Sequence, residues 1–114
     1  MLMLRKYSIH KQDENPVAYL YYDEDTRLYS VDIITDDYKQ ELPAMINSSI
    51  RIGKMHWDDK IARIYVKEHV IPSDRAGIND ILKLLGFPYY DEIFFLDKFE
   101  GRSVMDNFLC TRIK

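Results

Sequence analysis

Residues 17–34 read VAYLYYDEDTRLYSVDII, two runs of β-branched and aromatic residues on either side of a short polar linker. Such residues favour strands, and a linker of this length suits an antiparallel hairpin but is too short for a helical crossover. The turn-forming pair Asn15-Pro16 introduces the first run. Residues 17–22 and 28–34 are therefore predicted to be neighbouring antiparallel strands.

A third strand is predicted before these two, because residues 3–10 alternate moderately between apolar and polar types. The three runs predict a three-stranded antiparallel meander over about residues 3–34. Because side chains alternate between the faces of a strand, the third strand presents two different surfaces. One surface carries Arg27, Tyr29, Val31 and Ile33, and the other carries Leu28, Ser30 and Asp32. We expect one core face and one wetter face.

A helical period dominates the second half of the chain. Apolar residues recur at steps of three and four from Trp57 to Tyr65, which predicts an amphipathic helix that starts at the tryptophan and ends before Pro72. Ser73 is predicted to cap a second helix, which contains Gly77 and ends at Gly86. The apolar stripe of that helix is Ile78, Ile81, Leu82 and Leu85. Together the two helices predict a helical hairpin over about residues 57–86.

Three other segments complete the predicted fold. Residues 42–46 contain Pro43 and are predicted to be loop. Residues 91–99 suit a buried strand or a short helix, and their acidic start favours the helix. Residues 108–113 are either a last strand or a surface segment. The predicted class is α+β, with the meander followed by the helical hairpin and a short third helix.

Composition narrows the class of protein. The 114 residues predict a single domain over 1–114, since domains usually run to about 100–200 residues. Hydrophobic residues at 46% and charged residues at 31% exclude a collagen-like or largely disordered chain. The net charge of -3 leaves no excess of positive charge to hold a polyanion. We therefore expect no nucleic-acid partner.

The same reasoning indicates a cytoplasmic location. Cys110 has no second thiol with which to form a disulfide or a zinc knuckle. The first charges follow only four apolar residues, the reverse of a secretory signal, and no run approaches the roughly 18 apolar residues of a membrane span. We expect neither export nor a membrane partner.

Motifs for catalysis or cofactor binding are missing. The four glycines are not clustered into a phosphate-binding loop, and the three histidines lack metal-ligand spacing. The acids beside His56 are typical of a helix start, and Ser73 is better explained as a helix cap than as a nucleophile. Cys110 is expected to be a buried or idle thiol. We expect no catalytic residue, no metal and no cofactor.

Tyrosine is the unusual residue of this chain, with nine copies. The candidate partner-binding residues are the four on two consecutive predicted strands: Tyr19, Tyr21, Tyr22 and Tyr29. Tyrosine is a normal sheet residue and also an anchor of protein interfaces, and exposure separates the two roles. An exposed strand edge offers a second route to a partner chain.

A polar cluster at the corner of the helical hairpin is the alternative site. Arg75 lies in the predicted first turn of a helix, where the macrodipole disfavours a cation. Either an ion pair with a nearby acid or a bound ligand explains it. His69, Ser73 and Asp106 complete this candidate polar pocket.

Residues 57–108 also carry a recognisable order of motifs. The tryptophan-led helix is followed by IPSDRAGI at 71–78, by Leu85-Gly86 and by Gly101-Arg102-Ser103. This order resembles a segment of HipA-like proteins of bacterial mobile elements, in which it precedes a kinase domain. The resemblance covers about half of the chain and includes no residue of that kinase domain.

Two functions follow as hypotheses. The resemblance implies a non-catalytic docking or accessory module that binds a partner protein, such as a separate HipA-like kinase chain. The exposed strand edge described above allows a second copy of the chain as the partner. The alternative is a small ligand-binding protein or enzyme that uses the polar pocket at the hairpin corner.

Overall fold

A computed structural model describes residues 3–103 and 105–114, which form a five-stranded antiparallel sheet and four helices. The strands are β1 (Leu4–Lys11), β2 (Ala18–Asp23), β3 (Leu28–Ile33), β4 (His56–Trp57) and β5 (Phe108–Ile113). The helices are α1 (Ala44–Arg51), α2 (Asp59–Glu68), α3 (Ile78–Leu85) and α4 (Glu92–Phe99). The α+β class is confirmed.

The sheet has the strand order β4-β3-β2-β1-β5. Its centre is formed by three consecutive strands, with Tyr7 opposite Leu20 and Leu20 opposite Val31. Two strands from the second half of the chain extend the sheet at its edges, since β4 pairs with β3 and β5 pairs with β1. The segment 108–113 is therefore a strand.

The core lies on one face of this sheet. Inward-facing residues of the three central strands are buried: Tyr7, Ile9, Ala18, Leu20, Tyr22, Tyr29, Val31 and Ile33. This confirms the face predicted for the third strand, except that Arg27 lies in the β2–β3 turn with a φ of 61° and is exposed. Helices α1, α2 and α4 bury residues against the same face.

The helical period predicted that a helix begins at Trp57, and this prediction is wrong. Trp57 lies in β4 opposite Val31, and Asp58 is extended, so that α2 begins at Asp59. The helix consequently buries Ala62, Tyr65 and Val66, whereas Ile64 is 45% exposed. Pairing with β3 and burial of the indole outweigh the local helical pattern.

The predicted helical hairpin is not confirmed. Ser73 caps no helix, because residues 69–77 form an irregular segment and α3 begins only after Gly77, whose φ is +77°. Of the predicted stripe of α3, only Leu82 is buried. The end at Gly86 is as predicted, with the amide of Phe87 donating to the carbonyl of Leu82 over 2.9 Å.

The other two helices differ in how well the sequence indicated them. Residues 42–46 were predicted to be loop, but α1 begins at Ala44, directly after Pro43 in the N-cap position. The helix favoured for 91–99 is confirmed by α4. The Asp91 side chain caps it by accepting from the amide of Ile93 over 3.1 Å.

The turn between α4 and β5 depends on a glycine. Gly101 has a φ of +67°, and a Cβ there would lie 2.9 Å from the Cβ of Cys110. The amide of Cys110 donates to the carbonyl of Glu100 over 2.7 Å, which holds the two segments together. We expect Gly101→Ala to lower the free energy of unfolding by about 2 kcal/mol, from strain and overpacking.

Urea unfolding followed by circular dichroism measures this loss. Gly53→Ala is the matched control, because Gly53 has a φ of +75° with no heavy atom within 4 Å of the added Cβ. The control variant has only the strain of a positive φ at an alanine, and its free energy of unfolding should fall by about 1 kcal/mol. Equal losses in both variants would show that the contact with Cys110 is unimportant.

Candidate functional site

The four candidate tyrosines fall on opposite faces of the sheet. Tyr22 and Tyr29 are 5% and 2% exposed, and their rings pack together with centroids 4.9 Å apart. Burial raises the pKa of both phenols. These two residues therefore belong to the core and not to an exposed binding face.

Tyr19 and Tyr21 point the other way and are half-buried. Lys6 from the neighbouring strand lies over both rings, with its Nζ 4.2 Å from the centroid of Tyr19 and 5.8 Å from that of Tyr21. A cation over aromatic rings holds the side chains in a defined arrangement. Lys6 was not among the predicted site residues, although its position directly opposite Tyr21 follows from the hairpin register.

We call the outward-facing surface of the sheet the open face. It consists of Leu4, Lys6, Ser8, His10, Tyr19, Tyr21, Asp23, Leu28, Ser30, Asp32, His56, Leu109, Thr111 and Ile113. Among the described elements, no helix contributes to the packing of this face, because α1, α2 and α4 bury their residues on the opposite side. Helix α3 follows them, since Phe87 at its end packs on Phe94 and Phe95 of α4.

The edges of the sheet, in contrast, are covered. On β3, the amide of Tyr29 donates to Asp59 Oδ1 over 2.7 Å, and the amide of Ile33 donates to the carbonyl of Met55 over 2.8 Å. On β5, the amide of Phe108 donates to Asp106 Oδ1 over 2.9 Å, and Cys110 donates to Glu100. The edge route to a partner chain is therefore blocked at these positions.

The candidate polar pocket is only partly assembled. His69 is 4% exposed, and its Nε2 lies 2.9 Å from Asp106 Oδ2. Its Nδ1 donates to the carbonyl of Tyr65 over 2.8 Å, and the ring stacks on Tyr65 with centroids 4.1 Å apart. Both ring nitrogens are thus engaged within the protein. The pair joins the end of α2 to the start of β5 and leaves no imidazole nitrogen for a substrate.

Ser73 and Arg75 do not join that pair. Ser73 is exposed and lines a separate cleft with Tyr90 and Glu92. Arg75 is exposed, and no carboxylate among the described residues lies within 4.0 Å of it. The ion pair expected for Arg75 is therefore absent from the described part of the chain.

The remaining reactive side chains of the described residues are buried or paired with one another. Cys110 is buried, and burial raises the pKa of its thiol, which disfavours the nucleophilic thiolate. His56 pairs with Asp32 on the open face, with Nδ1 2.7 Å from Oδ1, while Asp59 faces Arg63. Over residues 3–103 and 105–114, no three histidine, cysteine or acidic side chains come together as a metal site.

Comparison with known proteins gives no family for this chain. No protein-family model, no curated protein and no solved structure matches this chain. None of the helices formed by the described residues is both long and apolar enough to cross a membrane.

Proposed function

We propose that this chain is a non-catalytic interaction module that binds protein through the open face of its sheet. One observation carries the proposal: the helices pack on one side of the sheet, and Tyr19 and Tyr21 stand on the other side under Lys6. Tyrosine supplies a large contact area for little loss of conformational entropy, which makes it a frequent interface anchor.

The composition of the open face supports an interface. Beside the tyrosines it carries large aliphatic residues at its ends, and Leu4, Leu28 and Ile113 are 50%, 51% and 43% exposed. An antiparallel sheet that faces only water usually presents polar side chains on its outer surface. The mixture of exposed apolar anchors with serine, threonine and charged residues is instead typical of a protein interface.

A second copy of this chain is the occupant that the face fits best. Lys6 lies diagonally across from Asp23 of the neighbouring strand, and Asp32 lies on the same surface two strands away, so that a rotated copy can oppose unlike charges. Four long strands of about six residues give a surface of about 20 × 20 Å. Two such faces of about 400 Å² each bury about 800 Å² in total, which is less than a stable dimer usually buries and suits a weak, concentration-dependent one.

The resemblance of residues 57–108 to HipA-like proteins extends this proposal to a partner of another kind. A separate HipA-like kinase chain would then compete with the second copy for the same face. This partner, its setting in a bacterial mobile element and a cytoplasmic location remain predictions. The single buried cysteine suits a reducing compartment.

The alternative function, a ligand-binding or catalytic pocket at His69, Ser73, Arg75 and Asp106, is less favoured. Such a pocket needs polar groups that converge on a shared space. Here His69 and Asp106 engage each other, and Ser73 and Arg75 lie outside their contact.

Self-association tests the proposal directly. Sedimentation equilibrium of the purified chain should show a dimer with a dissociation constant in the micromolar range. Replacing both open-face tyrosines, Tyr19→Ser and Tyr21→Ser, should weaken that dimer by about tenfold or more, because interface tyrosines are often binding hot spots.

Tyr89→Ser is the matched control, since Tyr89 is 50% exposed but lies outside the sheet. It should leave the dimer unchanged. Thermal unfolding of each variant establishes that the fold is retained. The open face is not a self-association surface if the chain stays monomeric at all accessible concentrations. The same conclusion follows if the two serine substitutions leave the dissociation constant of the dimer unchanged.

A further inference from the structure

A groove of about 510 Å³ is bounded by α1, by the loop between α1 and β4, and by Trp57 of β4 and Ile61 of α2. Its main lining residues are Met45, Ser48, Ile52, Lys54, Trp57 and Ile61. Small-molecule sites usually have volumes of about 300–1,000 Å³, with apolar walls and a few polar groups. This groove has the size and the character of such a site.

The walls of the groove are apolar. Trp57 forms the floor and is 1% exposed, while Met45 and Ile61 pack against the core from the two helices. Ile52 stands at the end of α1 and is 77% exposed, which is unusual for a large aliphatic residue. An apolar molecule in the groove would cover part of this surface and gain from its removal from water.

One cation stands among these apolar residues. No aspartate or glutamate lines the groove, and no carboxylate of the described residues lies within 4.0 Å of the Lys54 side-chain nitrogen. The ammonium group is thus available to an anion. Charge complementarity therefore favours a ligand that carries one negative group.

The backbone of Lys54 is held in place beside the floor. Its amide donates to the carbonyl of Ser49 over 2.9 Å, and its carbonyl accepts from the Ser49 hydroxyl. The same hydroxyl accepts from Nε1 of Trp57 over 2.9 Å. A short chain of hydrogen bonds therefore connects the indole to the residue that would meet the anion.

We propose that this groove binds a small amphipathic carboxylate, with its apolar part along Ile52, Trp57 and Ile61 and its carboxylate at Lys54. The groove lies on the side of the sheet that the helices cover, away from Tyr19 and Tyr21. This site is therefore independent of the interaction proposed for the open face. Ligand binding and self-association can each fail without the other.

Trp57 is the only tryptophan of the chain, so its emission reports on this groove alone. The experiment is a titration with decanoate below its micellar concentration, with decan-1-ol as the uncharged comparison. Decanoate should produce a saturable change in emission and bind more tightly than decan-1-ol. Lys54→Met should weaken decanoate binding about tenfold, the effect of losing one charge-assisted hydrogen bond, and leave decan-1-ol unchanged.

Two further variants complete the test. Lys83→Met removes an exposed lysine from α3, outside the groove, and should bind decanoate like the unmodified chain. Ser48→Leu narrows the groove with an exposed lining residue and should weaken both ligands. The proposal is overturned by the lack of a saturable change with decanoate. Equal affinity for the two ligands, or an unaltered response in Lys54→Met, overturns it as well.

Discussion

Trp57→Ala is expected to lower the free energy of unfolding by about 4 kcal/mol, the largest effect of any single substitution considered. The indole is 1% exposed and packs on Tyr65 with ring centroids 5.9 Å apart. Its Nε1 also donates to Ser49. Alanine leaves a cavity between β4, α1 and α2 and removes the donor from a buried hydroxyl.

Urea unfolding followed by far-ultraviolet circular dichroism measures this effect without depending on tryptophan emission. Ile64→Ala is the matched control, because Ile64 belongs to α2 but is 45% exposed, and it should lose less than about 1 kcal/mol. A loss of under 1 kcal/mol for Trp57→Ala would place the indole at the surface, contrary to the burial described above.

Asp106→Ala is expected to have the second largest effect and to lower the free energy of unfolding by about 3 kcal/mol. The carboxylate has two tasks: Oδ2 lies 2.9 Å from Nε2 of His69, and Oδ1 accepts from the amide of Phe108. Alanine removes both partners at once and leaves a buried imidazole nitrogen and the first amide of β5 without acceptors. Buried groups that lose their partner cost more than exposed ones.

The same urea experiment checks this value, with Asp36→Ala as a control at an exposed aspartate that should change stability by less than about 0.5 kcal/mol. His69→Ala and the double variant complete a double-mutant cycle. If the two single losses simply add, the contact between His69 and Asp106 contributes nothing to the free energy of unfolding.

Features that depend on neighbours in sequence were predicted well. The strands within 17–34 follow from β-branched and aromatic runs around a polar linker, and the cap of α4 at Asp91 follows from its acidic start. Gly86 ends α3 as predicted, because the helix ends at a residue in the left-handed backbone conformation, which glycine adopts readily. Each of these signals acts over fewer than about six residues, so no distant contact competes with it.

Features that depend on distant pairing were missed. Trp57 continues the helical period of Ile61 and Tyr65, yet it pairs with Val31 of β3. Of the candidate polar pocket, His69 and Asp106 do meet across 37 positions of sequence, but Ser73 and Arg75, which were grouped with them, do not join that contact. The groove beside Lys54 was not predicted, because residues 42–46, which include the start of α1, were predicted to be loop.

The candidate interaction surface shows the same division. Alternation along AYLYYD already separates Tyr19 and Tyr21 from Tyr22, because side chains at odd and even positions point to opposite faces. Which face becomes the core is a tertiary matter, decided where the apolar residues of α1, α2 and α4 are buried.

The sequence by itself determined the α+β class, the central hairpins, the C-terminal end of α3 and the position of α4, because these rest on backbone preferences and side-chain periodicity. Tertiary structure decided the open face, the covered edges, the contact of His69 with Asp106 and the groove beside Lys54. The open face, the covered edges and the contact of His69 with Asp106 need segments far apart in the chain to meet, whereas the groove needs α1 to pack beside Trp57 within residues 44–61. In each case, burial and hydrogen bonding outweigh the weak local preferences of the chain.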